Sequence, residues 1–178
     1  RDLSHSIARG RGLSAGACRT GRPLMPASTS FLTRVSGLLA GVWLGGLVTL
    51  GAVVAPTAFA QLERTAAGRL AGACFKVEAH VALALAIALF VIERHVTRER
   101  ARSAGGSMWS ANMLLALGAL FCTIAGYFAL QPMMEAARLG APGAMSFGLL
   151  HGASSVFFLL KGLLVAALLW RVLGRAAH

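Results

Sequence analysis

The side chains that could carry chemistry in this 178-residue chain are a few polar groups at the ends of long apolar segments. Glu78, Gln131 and His151 offer a carboxylate, an amide and an imidazole, which can bind a small molecule or an ion. His151 and Ser155 share one helix face, and Ser154 lies beside them. We therefore predict a polar pocket in the outer half of the membrane that the apolar segments indicate. Its residues are Glu78, Gln131, His151, Ser154, Ser155, Gln61 and Pro56.

Metal-based chemistry is a weaker alternative. His80 and His151 could be axial ligands of a haem, but only if both imidazoles face one cavity at equal depth, which their spacing does not ensure. Met133 and Met134 are soft ligands that suit copper(I), yet adjacent helical residues point to different sides. The three cysteines form no CxxC pair, which argues against a zinc module. The motifs favour a protein that is not an enzyme, and they do not firmly imply any cofactor.

Lys161 interrupts the fourth apolar segment near its middle. A charged residue inside a membrane span is a functional candidate by default. Lys161 lies about 10 Å along the helix below Ser154, so we expect it not to reach Glu78. It would then need a water-lined cavity or a neutral amine, or its side chain would extend to the interface from a lipid-facing position.

The first apolar segment has two ends of different kinds. Gly37, Gly41 and Gly45 recur every fourth residue, a stripe that lets another helix approach closely. This approach could occur within one chain, which we favour, or between two copies. Near the other end, Pro56 lacks an N–H group and frees the carbonyl of Ala52, so we predict a kink there. The freed carbonyl either lines the polar pocket or accompanies a kink that only shapes packing.

Composition and segment length predict the fold. The chain is 57% hydrophobic and 13% charged, about half the charge of a soluble domain. Each of four apolar segments, 35–60, 71–92, 108–130 and 147–170, has the ~20 residues needed to cross ~30 Å of hydrocarbon. Short linkers make neighbouring helices antiparallel. We predict an all-α integral membrane four-helix bundle with up-down-up-down topology.

Charge predicts the domain boundaries and orientation. Residues 1–34 are a basic extension that we expect to be disordered, 35–173 the four-helix domain, and 174–178 a short basic tail. Residues 1–24 have the composition of an organelle transit peptide, or they lie upstream of a true start at Met25, which we favour. Arginines concentrate on the side that holds both ends of the chain, which predicts cytoplasmic termini. The net charge of +11 comes from arginines that bracket apolar spans, so we expect a lipid bilayer and no nucleic acid as partner.

Several short motifs, in this order, resemble a known family. They are WLGG and VAPTAFAQL in the first span, GRLAGACFKVEAH in the second, QPMM after the third and FGLLHGASSV in the fourth. Over about Val35 to Leu173 the chain resembles the bacterial four-span DUF4149 proteins, which are similar to the animal transmembrane protein 205 group. The resemblance implies a bacterial inner-membrane location and a fold similar to the copper-resistance-D-like proteins, some of which associate with haem or copper. It implies no particular activity.

The resemblance also places a family pattern on this chain. The matching positions are Pro56, Phe59, Gln131, Pro132, His151, Gly152, Ser154 and Ser155. Where that pattern would carry an asparagine shortly after the two serines, this chain has Phe158, which weakens the transfer of a polar site deeper into the membrane.

Three functional hypotheses follow. The first is a structural or assembly protein, in which the polar groups hydrogen-bond helices together and the partner is a second copy or another membrane protein. The second is a protein related to transport or resistance that binds a small molecule or metal ion in the polar pocket. The third is a haem-associated redox protein with His80 and His151 as ligands.

Overall fold

The structure is a computed structural model that describes residues 27–104, 107, 109–141 and 145–176. It is helical in four spans, and these ranges contain no strand, which confirms the all-α prediction. The first span consists of α1 (Ala27–Val48), the π-helical segment π1 (Thr49–Val54) and α2 (Ala55–Gln61). The second is the single helix α3 (Arg64–Ala104). The third consists of α4 (Ala111–Thr123), π2 (Ile124–Ala129) and α5 (Leu130–Arg138), and the fourth is α6 (Phe147–Ala176).

All four helical spans extend beyond the predicted segments at one end or both. Helix α1 begins before residue 35, and α3 continues well past residue 92 as a charged helix. The proposed start at Met25 and the rest of the basic extension up to residue 26 lie outside the described residues.

All four spans are long and apolar enough to cross a membrane, each with a mean hydropathy of 2.1 over its best window. Their outward faces carry large apolar side chains that suit lipid tails. Examples are Leu38, Val42, Val81, Val91, Leu114, Phe121, Val156 and Leu163. The chain is therefore a multi-pass membrane protein.

The spans form a four-cornered bundle with antiparallel neighbours. Helix α1 packs against α3 and α6, and α4 packs against the same two helices. Within the described ranges, α3 and α6 do not approach each other closely through their backbones, so they occupy opposite corners. We call the end where α1 begins and α6 ends the inner end, and the opposite end the outer end. The predicted up-down-up-down bundle is confirmed.

Local chemistry explains where the third span begins and ends. The Ser110 hydroxyl accepts a hydrogen bond from the Met113 N–H at 3.3 Å, which caps the first turn of α4. Gly140 adopts a φ of 68° after α5, and the Ala141 N–H bonds the Ala136 carbonyl at 3.1 Å. This pattern is a Schellman ending, and it needs a residue that tolerates positive φ.

The bundle centre is built mainly from small side chains. Alanines from α3 and α4, such as Ala82, Ala86 and Ala116, are fully buried beside Leu47 and Leu168. Small residues let helices approach closely, which favours association where lipid tails remove the hydrophobic driving force between helices.

The two π-helical segments each receive a phenylalanine from α6. A Cβ built on Gly51 in π1 would lie 3.0 Å from the Phe158 ring, and one on Gly126 in π2 would lie 2.6 Å from the Phe157 Cβ. A helix with wider turns and a glycine at this position leaves room for a large ring from its neighbour. Adjacent phenylalanines thus fix α6 between the first and third spans.

Pro56 is the second residue of α2, and only Ala55 separates it from the end of π1. The Ala55 N–H bonds the Leu50 carbonyl, and a new helical segment, α2, begins with Pro56 in its first turn. The first turn is where a missing N–H is tolerated. On the N-terminal side of Pro56, where the sequence predicts a kink, the structure has the wide π-helical turns of π1.

Gly126→Ala should destabilise the protein, because the new methyl group meets the Phe157 Cβ inside normal contact distance. Overpacking outweighs the better helix propensity of alanine, so we expect a net loss of roughly 1–2 kcal/mol in unfolding free energy. Thermal unfolding of the purified protein in detergent measures it. Gly45→Ala is the matched control, since nothing lies within 4 Å of its Cβ position. Equal stability of the two variants would contradict the packing.

Candidate functional site

An ion pair crosses the bundle between its two opposite helices, α3 and α6. The Lys161 ammonium donates to both carboxylate oxygens of Glu78, at 2.9 Å to Oε1 and 2.7 Å to Oε2. The side chain of Lys161 is 4% exposed and that of Glu78 is 13% exposed. The backbones of α3 and α6 do not approach each other closely. The ion pair therefore links the two helices through their long side chains, across the centre of the bundle.

The expectation that Lys161 lies too deep to reach Glu78 is wrong. It assumed that Glu78 stays near the membrane surface while Lys161 lies at mid-membrane. In the structure the two residues lie at one level, as their contact shows. Helix α3 begins at Arg64 and α6 at Phe147, so Glu78 and Lys161 are each fourteen residues after the start of helices that run in the same direction. The long lysine stem spans the remaining gap between the helices. Lys161 is buried, so its side chain does not extend from a lipid-facing position either.

The pair lies near the middle of the apolar layer. On α6, Lys161 is midway between His151 and Arg171, about 15 Å along the helix from each. A hydrocarbon core is about 30 Å thick, so the ammonium lies close to the midplane. Charges at this depth are costly unless they are paired inside the bundle.

Aromatic rings border the pair on one side. The Lys161 Nζ lies 5.2 Å from the centroid of the Phe158 ring, within the range of a cation–π interaction. Phe75, on α3 one turn before Glu78, meets the Phe158 ring edge to face at 5.3 Å. Phe158 thus supplies an aromatic wall to the charged site.

The other residues of the predicted pocket make separate contacts. Ser154 donates to the Gly126 carbonyl at 2.8 Å, which joins α6 to π2. Ser155 donates to the His151 carbonyl within its own helix at 2.9 Å. The Gln131 amide donates to Glu135 one turn along its own helix at 3.3 Å. Of these three, only Ser154 forms an interhelical hydrogen bond in the described part of the chain.

His151, Gln61 and Pro56 are exposed at the outer end. The His151 ring stacks on Phe147 at 5.8 Å between centroids, within α6. Glu78 has no hydrogen bond to His151 or Gln131 among the described residues; its partner is Lys161.

The candidate metal ligands also lie among different neighbours. The Nδ1 of His80 is 2.7 Å from the Lys76 carbonyl, and its ring meets Phe128 of the third span. Across the described ranges, no group of three His, Cys, Asp or Glu side chains could hold a metal ion. Met134 is buried and Met133 is 42% exposed, so the two adjacent methionines do point to different sides.

The three glycines of the first-span stripe have different surroundings. A Cβ on Gly37 would lie 3.5 Å from Val172, and one on Gly41 would lie 4.0 Å from Leu169, so both glycines lie against α6. Gly45 has open space around its Cβ position. An open groove of about 570 Å³ runs along the first two glycines between α1 and α6.

Sequence reasoning missed a second polar group at the inner end. Arg175 of α6 donates to Glu93 of α3 at 2.9 Å, and Glu93 is 1% exposed. Arg171 donates through Nε to the Asn112 Oδ1 at 3.0 Å, and Asn112 is fully buried. The available signals were the first acid after the second apolar run, followed by several arginines, and a single asparagine at the start of the third run.

Comparison with known proteins places the chain in a family without naming an activity. No curated protein and no solved structure matches it. Residues 38–142, more than half of the chain, match the family described as "Domain of unknown function (DUF4149)". These residues hold most of the first span, all of the second and third, and Glu78 of the ion pair. The chain therefore belongs to the DUF4149 family.

Proposed function

We propose that this protein is a transport-related membrane protein in which the Glu78–Lys161 pair is the centre that a small cation engages. The observation that carries the proposal is the position of the pair, buried near the midplane between two helices that it links across the bundle. Charged groups at this depth commonly mark ion pathways and binding sites.

The energetics of the pair support a functional role. Removing two charges from water costs several kcal/mol per ion, and an apolar pair of similar volume is often as stabilising or more so. The surrounding core of alanine, leucine and valine would accept such a replacement readily. Folding alone therefore gives little reason for this pair.

Relative exposure indicates the charge of the ligand. Glu78 is the more accessible partner, with 13% of its side chain exposed against 4% for Lys161. An incoming group would meet the carboxylate first, and a cation could take the place of the ammonium there. The Phe75 and Phe158 rings lie beside the pair, and aromatic faces attract organic cations. A metal ion or a proton would engage the Glu78 carboxylate itself.

The neighbouring helices contain elements suited to rearrangement. In the third span, π2 packs against the half of α6 that precedes Lys161, and in the first span Gly51 of π1 lies against the Phe158 ring of the same half. Wide turns of this kind occur frequently at functional sites. A shift between wide and regular turns would move Gly51 and Gly126 relative to the phenylalanines that fix α6.

A structural or assembly role is the second candidate, and one observation favours it. Polar contacts between spans hold the bundle together at three levels, through Ser154 to Gly126, Lys161 to Glu78 and Arg175 to Glu93. On this hypothesis the pair fixes the register of α6 against α3, and no ligand enters.

The proposal also covers the membrane in which the protein lies and its orientation there. The motifs quoted above support a bacterial inner-membrane protein similar to the transmembrane protein 205 group, with both termini cytoplasmic. The concentration of arginine at the inner end supports this orientation. Glycine packing at Gly37 and Gly41 serves the contact with α6.

Lys161→Met alone should destabilise the protein strongly, because it leaves the Glu78 carboxylate unpaired inside the bundle. We expect a loss of about 3–5 kcal/mol in unfolding free energy, and the double variant Glu78→Gln/Lys161→Met should recover most of it. Thermal unfolding in detergent measures both.

Arg102→Gln is the control, since it removes an exposed pair with Glu99 on α3 and should cost less than about 1 kcal/mol. If the loss of unfolding free energy in the double variant equals the sum of the losses in Glu78→Gln and Lys161→Met, the two charges do not interact.

Cation movement tests the transport proposal directly. The purified full chain in liposomes should move at least one of three probes, namely protons followed by a trapped dye, sodium ions, or tetraphenylphosphonium. The Glu78→Gln/Lys161→Met variant should reduce that flux to the level of protein-free liposomes while keeping its fold. Wild-type flux at background for all three probes, or unchanged flux in the variant, would refute transport and leave the structural role.

A reporter fused after His178 tests the orientation. We expect a cytoplasmic reporter to be active and a periplasmic one to be silent, since the basic inner end should stay in the cytoplasm. The opposite activities would reverse the assignment.

A further inference from the structure

Among the residues that the structure describes, the inner end of the bundle has more positive charge and more hydrogen-bond donors than the neighbouring acceptors satisfy. We define the inner polar layer as Glu93 and Arg100 of α3, Asn112 of α4, and Arg171 and Arg175 of α6. Three guanidinium groups share this layer with one carboxylate. The next acid along α3, Glu99, is bound to Arg102 at 2.8 Å. Two positive charges of the layer therefore lack a counter-charge.

The contacts within the layer leave specific donors free. Arg171 donates its Nε to the Asn112 Oδ1, which fixes the orientation of the amide and leaves Nδ2 as a donor. Asn112 is 0% exposed, and its Nδ2 has no hydrogen-bond partner among the described residues. A buried donor without a partner loses its hydration and gains no hydrogen bond in exchange, which destabilises the folded state.

Arg100 supplies a second unsatisfied donor. It lies two helical turns after Glu93 on the same face of α3, within electrostatic range of both Glu93 and Arg175. Its Nε is buried and has no hydrogen-bond partner in the same ranges. Both unpaired groups are donors, so what would complete the layer is an acceptor with negative charge.

We propose that the inner polar layer binds the phosphate group of an anionic phospholipid. The layer lies where the apolar runs of α3 and α6 end, beside Ile92 and the exposed Trp170, at the depth of lipid headgroups. Basic pockets between spans at a membrane surface suit such headgroups. Phosphate oxygens would accept from Asn112 Nδ2 and Arg100 and compensate the two excess charges.

A second feature favours a lipid over free phosphate. The groove of about 570 Å³ between α1 and α6 reaches the same end of the bundle, with Arg34 and Val172 among its lining residues. Its walls are mostly apolar, through residues such as Leu38, Val42 and Leu173, and could hold an acyl chain. This proposal is independent of the Glu78–Lys161 site.

The test compares full-length protein in nanodiscs of phosphatidylcholine alone with nanodiscs that also contain phosphatidylglycerol. We expect phosphatidylglycerol to raise the thermal unfolding midpoint of the wild type. Arg100→Gln should lose at least half of that shift, whereas Arg98→Gln, an exposed arginine on the same helix, should keep it. No shift in the wild type, or equal shifts in both variants, would overturn the proposal.

Asn112→Asp gives a test that does not depend on damaging the fold. Its carboxylate would supply the missing negative charge and still accept from Arg171. We expect a raised midpoint in phosphatidylcholine alone and loss of the response to phosphatidylglycerol. A lowered midpoint with an intact response would overturn the proposal.

Two further measurements separate the sources of phosphate. Sodium phosphate, at matched ionic strength against sodium chloride, should not shift the wild-type midpoint in phosphatidylcholine; a shift equal to that of the lipid would assign the layer to free phosphate. Native mass spectrometry of the wild type from mixed lipid should show phosphatidylglycerol retained about tenfold over phosphatidylcholine, the value of one charge-assisted hydrogen bond. Equal retention would overturn the lipid assignment.

Discussion

A charged pair inside an apolar bundle must leave water before it can form, and the rest of the bundle has to compensate for that loss. Glu78 and Lys161 meet near the membrane midplane, and in the described part of the chain neither has a second ion-pair partner. The bidentate contact and the Phe158 ring compensate part of the dehydration. The two helices that supply the pair lie at opposite corners, so the other two spans must pack closely enough to leave them within reach.

Small residues and wide turns make that packing possible. Alanines on α3 and α4 narrow the bundle, and the glycines of π1 and π2 accept Phe158 and Phe157 from α6. The phenylalanines thereby hold the segment of α6 that precedes Lys161, while Ser154 satisfies a carbonyl of π2. The same residues that exclude water from the pair also fix the height of Lys161 relative to Glu78.

The two ion pairs between α3 and α6 lie in different environments. Glu78–Lys161 is enclosed near the midplane and balanced, with one charge of each sign. Glu93–Arg175 belongs to a layer at the inner end in which arginine is in excess and an amide donor is unsatisfied. The first arrangement suits a cation that competes for a carboxylate, and the second suits a bound anion from the lipid surface. Both depend on the parallel direction of α3 and α6, since only this direction places each acid level with a base.

The sequence by itself determined the class of the fold, because hydropathy, segment length and short linkers leave one economical arrangement for four apolar helices. It also identified Lys161 and Glu78 as unusual charges and the two methionines as diverging. Only the tertiary structure decided that Lys161 reaches Glu78, that Ser154 bonds π2, and that Asn112 and Glu93 are buried. These depend on the vertical offset between helices and on which helices occupy opposite corners. Side-chain packing of glycine, alanine and phenylalanine sets the offset between helices and decides which helices are neighbours. Hydrophobic periodicity along one helix carries no information about these two properties.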